Sequence, residues 1–205
     1  MHTHLTLVIV LALSTPLAAT AELSENESNV IAEMNLARTN PKAYAEHLKI
    51  YKKTFINEHT YTTGSARIRT QEGTKAVDEA ITFLLTTKPV PALTHAPGLS
   101  RAAHDHVTDQ GPGGHIGHTG TDNSTSSQRI GRYGSAKGRG ENIAFGPSKA
   151  RDIVIQLIVD DGVPNRGHRI NIFNPKFDAA GVSIGPHAKF NTMCVITYGT
   201  KFKAK

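Results

Sequence analysis

Apolar positions along this chain keep a helical period first and a strand period last. Over residues 23–40, Val30, Ile31, Met34 and Ala37 fall on one helical face, and Ser24 with Glu27 makes the Ser-x-x-Glu pattern that opens a helix. Asn40 can then cap while Pro41 takes the first helical position, where a missing N–H costs nothing, so residues 42–53 read as a second helix. Val77, Ile81, Leu84 and Leu85 place a third helix over residues 72–87, and Pro89 and Pro91 end it by removing donors and disfavouring helical angles before them. A fourth helix covers residues 98–110, and Ser148 is positioned to cap a fifth over residues 149–162.

The period then changes. Residues 179–185 and 191–199 read as two strands joined by a turn around Gly185 and Pro186, and residues 141–146 read as a short strand. Residues 54–74 are polar and carry glycine, and residues 111–140 are mostly Gly, Ser, Thr, Asn and His, so both segments are expected to be loops. The row from Ser124 to Ser127 reads as plain loop. Helices first and an antiparallel pair last predict an α+β domain, and no internal repeat is present.

The first 21 residues do not belong to this pattern. Leu5 to Leu13 form an apolar run too short to span a bilayer, which takes about 20 apolar residues. Ala19, Thr20 and Ala21 give a small-x-small cleavage site before Glu22. Residues 1–21 are therefore expected to be a cleaved export signal, and residues 22–205 a single exported domain without a transmembrane segment, monomeric in solution. No Cys follows the apolar run, which argues against a lipid anchor.

Composition sharpens this picture. The chain is 38% hydrophobic and 20% charged, enough for a packed core, and its one cysteine, Cys194, excludes an internal disulfide. Cys194 lies in an apolar strand-like run and reads as a small buried hydrophobe. The net charge of +6 falls wholly outside the export signal, which holds no Lys, Arg, Asp or Glu. Such a balance favours anionic surfaces, but the basic residues are scattered and no aromatics interleave with them, so no specific nucleic-acid partner is expected.

The stretch "NRGHRINIFNP" holds one histidine, His168, which suits a metal ligand, a catalytic base or a buried structural group. His104 and His106 sit two apart on the fourth helix and face different directions, so they cannot readily chelate one ion. His115 lies three before His118 in a Gly-rich loop. Arg169 reads as an ion-pairing or loop-capping residue. The chain has no HExxH pair and no nucleophile placed by a motif, which leaves any catalytic residue unassigned.

Six stretches in order resemble the CAP superfamily, the SCP-like extracellular domain of cysteine-rich secretory, antigen 5 and pathogenesis-related 1 proteins. They are "MNLARTNPKAYA", "PALTHAPGLSRAAHDHVTDQG", "GHTGTDNSTSSQRIGRYG", "GENIAFG", "NRGHRINIFNPKFDAAGVSIG" and "VITYGTKF". The absence of paired cysteines resembles the bacterial branch. The resemblance implies a three-layer α-β-α sandwich with a central antiparallel sheet and a cleft of two histidines and two acids. His118 stands at the first histidine, Glu141 at the acid of the "GEN" motif and His168 at the second histidine. Asp160 stands where many members carry the Glu of a Trp-x-x-Glu motif; here the Trp is absent and residues 161–167 intervene before His168.

Two neutral imidazoles on one cleft can hold a zinc-like divalent ion, and Glu141 or Asp160 can orient them from behind. The resemblance thus implies a secreted binding module for a metal ion, a lipid, another small molecule or a cell-envelope component, with His118 and His168 as metal ligands. The alternative it carries is a metal-assisted hydrolase using His118, His168 and Glu141.

Overall fold

The computed structural model describes residues 23–205, so the expected export signal and its cleavage site lie outside the described residues. Strands β6 (Gly138–Phe145), β7 (Ala179–His187), β8 (Asn191–Thr200) and the two-residue β4 (Thr94–His95) form a sheet in the order β4-β7-β8-β6. The β6–β8 and β7–β8 pairings are antiparallel; β4 adds two residues in parallel to β7. The expected antiparallel sheet is thus correct for its three long strands.

Strand alternation sends each side chain to one of two helical layers. From β8, Cys194, Ile196 and Tyr198 join the large core with residues of α1 (Glu25–Thr39), α2 (Pro41–Lys52), α3 (Thr74–Thr86) and α6 (Ala150–Val159). Met193 and Val195 point the other way, onto Ala103 and Val107 of α4 (Pro97–Gln110). Beside α4 lies α5 (Ser126–Tyr133), whose Ile130 packs with Leu99 and Ala102. These three layers are the α-β-α sandwich that the resemblance implies.

Several local expectations need correction. Residues 54–74 are not loop throughout: β1 (Phe55–Asn57), β2 (Thr60–Thr63) and β3 (Ala66–Arg69) form an antiparallel meander, held down where Phe55 and Tyr61 pack edge-to-face with Tyr51 of α2. Residues 111–140 contain α5 and the start of β6, and Thr125 is no plain loop residue, because it caps α5 in a capping box with Gln128. Between them, β5 (Gly134–Ser135) pairs with β9 (Lys203–Ala204) near the end of the chain. Ser148 does not cap α6; Lys149 occupies that position without a side-chain bond, and the Ser148 carbonyl accepts from Asn26 instead. Strand β7 runs through Gly185 and Pro186 to His187, so the turn falls at residues 188–190. A proline is tolerated there because that part of β7 lies beyond the reach of β4 and needs no donor on its outer side. No helix among the described residues is long and apolar enough to cross a membrane.

Candidate functional site

Strand β6 is the edge of the four-stranded sheet, and two consecutive residues on it, Glu141 and Asn142, point to opposite layers. Glu141 faces α4 and α5. Its Oε1 meets His118 Nδ1 at 2.9 Å, and its Oε2 accepts from Arg129 Nη2 at 2.7 Å. The side chains of Glu141 and Arg129 are each 2% exposed, whereas that of His118 is 56% exposed. The acid is thus buried behind an imidazole that reaches solvent.

A second pair lies on the other side of β6. Asp160 ends α6 in the left-handed conformation, at φ 58°, turning its carboxylate toward the start of α7 (Gly167–Ile172). Its Oδ1 meets His168 Nδ1 at 2.6 Å, and its Oδ2 accepts from the backbone N–H groups of His168 at 2.9 Å and Arg169 at 3.3 Å. The shorter side chain suffices because residues 161–167 fold back and deliver His168 onto it. Asp160 thus backs His168 as Glu141 backs His118.

The two pairs are stitched together through β6. Asn142 Nδ2 donates to the His168 carbonyl at 3.0 Å, and Asn171 Nδ2 donates to Asn142 Oδ1 at 2.9 Å and to the Glu141 carbonyl at 3.3 Å. Asn142 is fully buried and also donates to Tyr198, so this link is anchored in the core.

Arginines fix α7 from outside. Arg166 makes a bidentate pair with Glu72 at 2.6 and 2.7 Å and also reaches Glu79 at 2.6 Å. Arg169 joins Glu79 at 2.8 Å and binds the Ile158 and Val159 carbonyls at the end of α6. Arg169 is thus structural, as its sequence context suggests. The Arg166 guanidinium holds both carboxyl groups well below the usual glutamate value, at about 2 for Glu72 and about 2 for Glu79.

The other histidines take separate places. His104 lies 3.4 Å from Ser183, whereas His106 is buried and bonded to the Gly117 carbonyl at 2.9 Å, so the two do face apart. The His115 carbonyl accepts from His187 at 2.8 Å. Among the described residues, no three His, Cys, Asp or Glu side chains gather closely enough to hold a metal ion together. Arg129, Asn142 and Asn171 escaped the sequence reading. The Thr125-x-x-Gln128 box was the signal for Arg129, since it starts the helix that carries that residue inward.

A carboxylate oxygen accepts, so the ring proton of each imidazole sits on Nδ1 and leaves the Nε2 lone pair for a ligand or a proton. Two histidine–carboxylate pairs at the edge of a sheet sandwiched between helical layers define a class of α-β-α proteins with a His/acid site. The chain belongs to the cysteine-rich secretory protein (CAP) family, whose profile matches residues 31–198. Two solved structures are similar to it. An outer surface protein from Borrelia burgdorferi is 21% identical over 54% of this chain and 79% of that one, with a TM-score of 0.47. An extracellular protein containing an SCP domain from Bacillus anthracis str. Ames is 21% identical over 55% of this chain and 35% of that one, with a TM-score of 0.45. No curated protein matches the chain.

Proposed function

We propose that this chain is an exported binding protein that holds a divalent metal ion, zinc first, on the Nε2 atoms of His118 and His168. The supporting observation is that both imidazoles give Nδ1 to a buried carboxylate while their rings stay accessible. Both acids are already engaged, Glu141 by Arg129 and Asp160 by backbone N–H groups, so the protein supplies two nitrogens and no carboxylate to the ion. That donor set fits an open site, and a metal bound there would keep positions for water or for a ligand's own donor. Export rests on the apolar run ending in Ala19, Thr20 and Ala21.

A second reading, metal-assisted hydrolysis, draws on the 2.6 Å pairing of Asp160 with His168, which equips Nε2 to take a proton.

Calorimetric titration of the mature protein with zinc tests the metal reading. Wild type should take up one equivalent, and His118→Ala and His168→Ala should each lose that uptake. Uptake should also fall on acidification, because a protonated imidazole has no lone pair to give. Equal titration curves for wild type and both variants would remove the reading.

A further inference from the structure

The loop that carries His118 is gripped at three successive carbonyl oxygens by three buried side chains. His106 Nε2 donates to the Gly117 carbonyl at 2.9 Å, Arg129 Nη2 to that of His118 at 3.1 Å, and Gln110 Nε2 to that of Thr119 at 2.6 Å. His106 and Gln110 lie one turn apart on α4, so one helical face holds the residues on either side of His118 while α5 holds His118 itself. As whole residues, His106, Arg129 and Gln110 are 0%, 1% and 2% exposed.

This arrangement carries a cost that a simple loop anchor would not. His106 Nδ1, Gln110 Oε1 and Arg129 Nε are all buried without a hydrogen-bond partner, and Tyr44 Oη is the one other such side-chain atom among the described residues. Apolar contacts would fasten a loop without leaving polar atoms unmatched. What they would not do is fix the peptide planes around one residue, which is what three bonded carbonyls achieve. Burial holds His106 below the ordinary imidazole value and so keeps it neutral, with its one ring proton on Nε2 toward Gly117.

We propose that His106 and Gln110, together with Arg129, are positioning residues for His118: they lock residues 117–119 so that its imidazole meets Glu141 in one orientation and one tautomer. This inference rests on His118 being the working imidazole of the site. Arg129 serves twice, because the same guanidinium nitrogen bonds the His118 carbonyl and the Glu141 carboxylate that receives His118 Nδ1.

The test uses the mature protein with His106→Leu, which removes the donor, and His106→Gln, which restores an N–H at similar reach. Nitrogen-15 NMR of the metal-free protein reads the His118 tautomer, and zinc titration reads affinity. In His106→Leu the His118 ring signals should shift to a mixture of tautomers while those of His168 stay put. Zinc binding should weaken about 10- to 100-fold, and His106→Gln should bring it back to within about threefold of wild type. If His106→Leu does not fold, Gln110→Leu is measured in its place with the same expectations. Unchanged His118 ring signals in a folded variant would overturn the proposal. Zinc binding that survives His118→Ala would instead defeat the metal reading, and the metal-free ring signals would still decide the positioning role.

Discussion

Glu141 carries an imidazole on one oxygen and a guanidinium on the other, and with Arg129 it forms an ion pair sealed from solvent. Burying both charges gains little by itself, but removing one leaves the other stranded. Arg129→Met should therefore destabilise the fold by about 3 kcal/mol or more in urea unfolding, far above the cost of a surface pair. A loss below about 1 kcal/mol would mean that Glu141 finds other partners. At this scale the sequence said much about the four site positions and nothing about their neighbours. His118, Glu141 and His168 stood out by motif, and Asp160 only by its position before His168. Asn142 and Asn171 lie within quoted motifs, but their roles, like that of Arg129, are defined by contacts made 12 to 30 positions away along the chain.

Helix α7 has six residues, too short to hold itself together, so its contacts must do so. Arg166 and Arg169 supply them by joining it to Glu72, just before α3, and to Glu79 within α3. Both glutamates are held at about 2 in the folded chain, against 4.5 for the free group. A carboxyl with a depressed folded value stabilises fully above its unfolded value, and that stability is lost as the pH falls through the folded value. The contribution should therefore be complete above pH 4.5 and fade between about 4.5 and about 2. Arg166→Ala should flatten this part of the stability–pH curve, and an unchanged acid limb would show that the pairs do not hold in solution.

At Gly181 the backbone of α4 at Leu99 and Ser100 passes against β7. A Cβ there would overlap the Ser100 nitrogen and the Leu99 carbonyl carbon, neither of which can swing aside. Gly181→Ala should cost about 2 kcal/mol or more in thermal or urea unfolding. Wild-type stability for that variant would mean that α4 sits farther from the sheet.

Elements with a strong period were legible in the sequence: α1 to α4, α6, β7 and β8. The meander over β1, β2 and β3 was hidden because its strands are three or four residues long and mostly exposed, so no apolar alternation marks them. Helix α5 was hidden for a related reason. Only Arg129 and Ile130 of its eight residues are buried, and its glycine and serines mimic loop composition.

The whole molecule explains why the site is built around β6. An edge strand leaves one side open, so a loop following α4 and a helix following α6 both reach it from opposite layers. The large core of α1, α2, α3, α6 and one sheet face holds none of the histidines, so the site sits on a frame packed apart from them. In the proposed site both imidazoles give Nε2 to one ion. X-ray absorption at the zinc edge, on protein loaded with one equivalent, counts those ligands directly. Two imidazole nitrogens are expected at the ~2.0–2.1 Å zinc–nitrogen distance, with oxygen ligands completing the shell. A spectrum with one imidazole or none would contradict it.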